Sequence, residues 1–153
     1  MKLTKLIATE NEMYALGAAL ARHCPSGAVI YLYGELGAGK TTLVRGFLRE
    51  LGHTGTVKSP TYTIIEPYKF NNGLRVYHVD LYRLEQPDAL EHIGLSDYLD
   101  SHSICLIEWP EKAENLLPIP NLRCFITVVA GGREVNLRSV DEIGSTMLSE
   151  LTA

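Results

Sequence analysis

The segment Gly34-Glu35-Leu36-Gly37-Ala38-Gly39-Lys40-Thr41 matches G-x-x-x-x-G-K-[ST] at every fixed position, a pattern that demands a strand, a tight loop and a helix in that order. The flanks comply. Ala28 to Tyr33 is a continuous apolar, β-favouring run of the length of a buried parallel strand. Leu43, Val44, Phe47, Leu48 and Leu51 recur at helical spacing, with Gly52 where a C-terminal cap belongs.

Each residue type in the loop has a separate chemical reason. Glycines 34, 37 and 39 permit positive φ and close approach, so successive backbone N–H groups can face phosphate oxygens. A helix starting near Lys40 adds its positive end to that anion site. Lys40 would neutralise the outer phosphates, Thr41 would ligate Mg²⁺, and Thr42 could donate to the α phosphate. Nucleoside triphosphate binding is therefore expected of the chain.

The rest of the sequence supplies elements to surround this centre. Leu3 to Ile7 reads as a strand, and Thr9 with Glu12 as a capping box opening a helix whose Met13, Leu16 and Leu20 face inward. Thr61 to Tyr68 and Leu74 to Asp80 read as a hairpin around Asn71-Asn72-Gly73. A short helix should run from Pro87 to Ile93, followed by an apolar strand from Ser103 to Trp109. Leu122 to Val129 and Arg133 to Arg138 flank a Gly131-Gly132 turn, and Ser139 with Glu142 offers a capping box for a last helix through Leu151. The expected fold is α/β: a P-loop NTPase-like three-layer domain over residues 1–153, with a mixed, mainly parallel sheet and antiparallel hairpins.

Composition narrows the function. With 153 residues, 46% of them hydrophobic, the chain has enough apolar side chains for a core but little room for a separate substrate domain. A net charge of −4 lacks the basic footprint of a protein that grips nucleic acid alone. Cys24, Cys105 and Cys124 are odd in number and lack C-x-x-C spacing, which favours reduced thiols. With no apolar leader after Met1 and no long apolar run, the expected compartment is the cytoplasm, with no membrane partner.

Three further segments could carry chemistry. Glu108 ends the apolar strand Ile104 to Ile107, where phosphate-loop proteins commonly hold an acid that reaches Mg²⁺. On His78-Val79-Asp80, period two puts His78 and Asp80 on one face. Asp80 is a candidate to orient an attacking water, whereas His78 reads as a hydrogen-bonded strand residue. Lys58 to Thr63 carries hydroxyls that could fold onto a metal and a γ phosphate, or simply form a turn.

Taken together, Gly34 to Thr42, Ser59-Pro60-Thr61-Tyr62-Thr63, His78-Val79-Asp80-Leu81-Tyr82-Arg83-Leu84 and Ile107-Glu108-Trp109-Pro110-Glu111 closely resemble the TsaE (YjeE) family of small bacterial ATPases. The resemblance implies a role in threonylcarbamoylation of the adenosine beside the anticodon in tRNAs that read codons starting with A. It implies ATP and Mg²⁺ as cofactors and TsaD and TsaB as partners, which perform the transfer, so that tRNA is met only through the complex. Residue by residue, it assigns Gly37, Ala38, Gly39, Lys40, Thr41 and Thr42 to the phosphates, Thr41 and Glu108 to Mg²⁺, and Lys40, Asp80 and Glu108 to catalysis. It places Glu10, Gly132 and Arg133 beside the nucleotide. A small-molecule or nucleoside kinase is the alternative, but Arg83 alone follows Asp80 as a candidate lid arginine. A GTPase lacks a base-reading Asn-Lys-x-Asp motif here.

Lys40→Ala should abolish tight nucleotide binding, since it removes the main cation from a polyanion site. Calorimetric titration with unchanged affinity would contradict the loop assignment.

Overall fold

Strand β2 (Val29–Tyr33) is apolar throughout because both of its faces are covered and both of its edges are paired. The computed structural model describes residues 1–152. On one side β2 pairs in parallel with β5 (Ser103–Glu108), which pairs in parallel with β4 (Arg75–Asp80). On the other it pairs in parallel with β6 (Leu122–Val129). Antiparallel strands close the flanks: β3 (Ile65–Lys69) beside β4, and β7 (Gly132–Ser139) with β1 (Lys2–Ile7) beyond β6. The seven-stranded order is β1-β7-β6-β2-β5-β4-β3, a mixed sheet with a parallel centre.

Helices α1 (Glu10–Arg22), α2 (Lys40–Glu50) and α5 (Glu142–Thr152) contribute to one apolar cluster, with Leu20, Phe47 and Leu148 fully buried against the sheet. Shorter pieces cover the opposite face: α3 (Ala89–Ile93), α4 (Leu95–Tyr98) and the turns bearing Ala113 and Leu117. The strands alternate between the two clusters, with Ile104 and Leu106 facing the first and Cys105 and Ile107 the second. All three cysteines are free, and burial pushes each thiol up to about 12. Among the described residues no helix is long and apolar enough to cross a membrane.

Local signals held in most places. Thr9 accepts from the Glu12 backbone N–H at 3.1 Å, and the Glu12 carboxylate reaches back to the Ala8 N–H at 2.7 Å. Four expectations need correction. The strand expected from Thr61 begins at Ile65, because Thr61 to Thr63 form a turn and Ile64 sits at φ 69. The strand expected to run from Ser103 to Trp109 stops at Glu108, because Trp109 turns left-handed at φ 59. Gly132 belongs to β7 rather than to the turn, lying opposite Val129. The last helix is capped by Asp141, whose carboxylate accepts from the Gly144 N–H at 3.0 Å. Ser139 stays in β7, where its hydroxyl meets Ser145 and the Met1 backbone.

Helices α1 and α2 touch backbone to backbone. A Cβ on Gly46 would lie 2.2 Å from the Tyr14 carbonyl oxygen, and one on Gly17 2.1 Å from that of Leu43. This contact fixes the start of α2, and with it the phosphate loop, against the first helix. Gly46→Ala should therefore cost about 2 kcal/mol by overpacking. Thermal melting would register a clear drop, and a parent-like midpoint would contradict the close contact.

Candidate active site

The loop from β2 to α2 takes the shape its glycines allow, with Gly37 at φ 78 and Gly39 at φ 120. Gly39 caps α2 without a side-chain hydrogen bond, and the first turn of the helix holds no acidic residue. The first N–H groups of α2 are thus left for a ligand, and an anion suits them. Lys40 is 5% exposed, and its ammonium donates to the carbonyl oxygens of Gly34 at 2.5 Å and Glu35 at 2.9 Å. It also stands 4.7 Å from the centroid of the Trp109 ring. Burial holds the Lys40 pKa below the usual lysine value, and the carboxylates of Glu108, Asp80, Glu111 and Glu35 work against that shift.

Opposite the loop, the parallel register of β4 and β5 sets Asp80 beside Glu108. Both carboxylates are buried, at 3% and 2% exposure. They share the sheet face of Val76 and Leu106, the face that α2 covers. Thr41, in the first turn of α2, donates to Glu108 Oε2 at 3.1 Å. Asp80 accepts from the Tyr82 N–H at 2.9 Å through Oδ1 and from the Ser59 hydroxyl at 2.5 Å through Oδ2. The Oδ1 contact fits the turn-capping reading of Asp80, while Oδ2 is taken up by the Ser59 hydroxyl.

Ile64 and Trp109, the two non-glycine residues at positive φ among the described residues, both adjoin these carboxylates. A β-branched residue at positive φ is an outlier that surrounding contacts must enforce. Ile64 is held by its N–H on the Pro60 carbonyl at 2.7 Å and by its own carbonyl on the Asp80 N–H at 2.9 Å. Its kink brings Ser59 back onto Asp80. Trp109 bonds through its N–H to the Leu32 carbonyl at 3.3 Å, which turns the ring over Lys40 and against Tyr82.

Two cavities meet at Gly37, Gly39 and Thr42. One, of about 490 Å³, adds Lys40, Thr41, Ser59, Thr61, Asp80, Arg83, Glu108 and Trp109. The other, of about 390 Å³, adds Thr9, Glu10, Met13, Gly132 and Arg133. The Arg133 guanidinium donates to the Ala38 carbonyl at 2.8 Å and to that of Gly37 at 3.3 Å, so it pins the loop as well as lining the cavity. A larger cavity of about 550 Å³ beside β3 shares only Ser59 with this region and holds none of the loop. Arg83 is drawn over the Tyr62 ring, 4.5 Å from its centroid.

A model of the family "Threonylcarbamoyl adenosine biosynthesis protein TsaE" matches residues 7–135. The chain belongs to the TsaE family. It is 42% identical to the tRNA threonylcarbamoyladenosine biosynthesis protein TsaE of Haemophilus influenzae, over 96% of each chain. It is 38% identical to the TsaE protein of Bacillus subtilis, over 93% of this chain and 89% of that one. Among solved structures, Bacillus subtilis YdiB superposes with a TM-score of 0.83 at 32% identity, covering 99% of this chain and 95% of that one. The biosynthesis of threonylcarbamoyladenosine in tRNA is thus the process to which its family belongs.

The fold brings every site residue expected from sequence to one of the two adjoining cavities. His78, expected as a hydrogen-bonded strand residue, is one: it is fully buried and bonded to Glu108 through Nε2 at 2.5 Å, a place at the site that the sequence did not announce. The two-residue spacing to Asp80 was the available signal. A hard, oxygen-preferring cation fits the pair of Thr41 hydroxyl and Glu108 carboxylate. Among the described residues no group of three or more His, Cys, Asp or Glu could hold a metal alone. Such a cation would share its coordination with phosphate and water oxygens, as Mg²⁺ does in nucleotide sites.

Because the folded-state pKa of Lys40 is lowered, the ligand-free protein binds this proton less tightly than the unfolded chain does. Its stability then rises with pH between the folded and unfolded lysine values. Lys40→Met should raise the ligand-free melting temperature at neutral pH and flatten the alkaline rise. A lower midpoint in calorimetric scans would contradict a desolvated ammonium.

Proposed function

We propose that the chain is an Mg²⁺-dependent ATPase that supports turnover of the TsaD-TsaB transferase in tRNA threonylcarbamoylation and does not perform the transfer. The observation that carries this reading is the meeting of Thr41 with Glu108 at 3.1 Å beside the buried Lys40 ammonium. The triphosphate would lie along the N–H groups of Gly37 to Thr42, with Lys40 turning from the Gly34 and Glu35 carbonyls to the outer phosphates. Adenosine would enter the cavity of Glu10, Gly132 and Arg133, on the far side of the loop from Asp80 and Glu108.

Thr41 and Glu108 would hold Mg²⁺, which supplies charge neutralisation at the phosphates. Asp80, fixed by the Tyr82 N–H, offers Oδ2 to an attacking water once the Ser59 hydroxyl gives way. The Ser59 loop is the part that could differ between nucleotide states, and partners that bind those states with different affinity would turn hydrolysis into gating. Contact with tRNA would come through the complex, in keeping with the net charge of −4.

Hydrolysis should be slow for the chain alone and rise when TsaD and TsaB are added. Glu108→Ala should lower kcat by about 100-fold while changing nucleotide affinity by less than about tenfold. Turnover indifferent to both the partners and Glu108 would overturn the reading.

A further inference from the structure

His78 lies at the centre of β4, opposite Glu66 on β3 and Leu106 on β5, and is fully buried. Its neighbours on the α2-facing side of the sheet, Val76 and Leu106, are apolar. An aliphatic side chain would suit this position better on packing alone, because the imidazole leaves Nδ1 buried with no hydrogen-bond partner. The other ring nitrogen makes one hydrogen bond, to Glu108 Oε2 at 2.5 Å. With Nδ1 unpartnered, the pattern assigns the proton to Nε2, which donates to the carboxylate.

We propose that His78 is a positioning residue for the metal ion: its Nε2–H locks the Glu108 carboxylate in the rotamer that faces Thr41. The inference rests on the reading of Glu108 as an Mg²⁺ ligand. Glu108 has three rotatable side-chain bonds and is the last residue of β5, just before the left-handed Trp109. Two donors hold it, the Thr41 hydroxyl from the helix side and His78 from the sheet side. Both converge on Oε2, while Oε1 lies 3.5 Å from the Thr41 hydroxyl, the less engaged oxygen and the one free for a cation. When Mg²⁺ binds, Thr41 would direct its lone pairs to the ion, so that its hydroxyl would be shared between metal and carboxylate. Among the described residues His78 is the side chain that would hold the carboxylate without also serving the ion. Removing such a partner of a ligand commonly weakens metal affinity 10- to 100-fold, by about that range.

The test is the affinity of the full chain for a fluorescent ADP analogue, measured in EDTA and across a series of Mg²⁺ concentrations. His78→Leu should raise the Mg²⁺ concentration at half effect at least about tenfold, with affinity in EDTA within about twofold of the parent. His78→Gln, whose amide N–H can stand where Nε2–H stood, should restore most of the Mg²⁺ response. His78→Asn, too short to reach Glu108, should not. A role confined to packing would move the melting temperature and the affinity in EDTA together, and would treat Gln and Asn alike. Should His78→Leu fail to fold, the Gln and Asn pair decides, and equal Mg²⁺ dependence in the two overturns the proposal. A parent-like Mg²⁺ response in His78→Leu overturns it as well. If Glu108→Ala also leaves that response unchanged, the metal-ligand reading of Glu108 is what fails.

Discussion

The ammonium of Lys40 is a cation held almost out of water, and the site is arranged around it. A buried charge persists only where neighbours compensate it. Here the Gly34 and Glu35 carbonyls, the Trp109 ring and the surrounding carboxylates share that task. Burial outweighs these partners and holds the Lys40 pKa below the usual lysine value, and an anion would suit such a charge. The lysine and the uncapped start of α2 both present donors that suit an anion.

The sheet supplies the opposing charge by register. Because β4 and β5 run parallel with Asp80 opposite Glu108, two carboxylates from distant parts of the sequence end at the same height as the start of α2. The backbone contact of α1 with α2 through Gly17 and Gly46 holds that start in place from the other side. Strain gathers at the junctions. Ile64 and Trp109 take left-handed conformations on either side of the site, each held by backbone hydrogen bonds, and each turns a side chain or loop toward Asp80 or Lys40.

Much of this was legible in the residues themselves. The loop, its strand and its helix followed from glycine placement and apolar periodicity, and the Thr9 cap from a four-residue pattern. Errors fell where tertiary contacts overrode local preference. Thr61 to Thr63 looked like strand because β-propensity cannot register the Ile64 kink, which the Pro60 and Asp80 backbone enforces. Ser139 looked like a cap because its hydroxyl suits one, yet pairing with β6 keeps it in the sheet and leaves Asp141 to the helix. His78 read as a hydrogen-bonded strand residue and is one, but a lone histidine does not name its partner in the sequence. Only the parallel register reveals Glu108 beside it. The expectation for Glu10 and Arg133 came from family resemblance, and the fold lines one cavity beside the loop with both.

The most direct measurement is anomalous diffraction from crystals grown with Mn²⁺, as a stand-in for Mg²⁺, and a non-hydrolysable ATP analogue. The expected result is a metal peak at about 2 Å from Thr41 Oγ1, on the side of the Glu108 carboxylate, with phosphates along Gly37 to Thr42. A peak away from both Thr41 and Glu108, or phosphates off the loop, would contradict the proposed site.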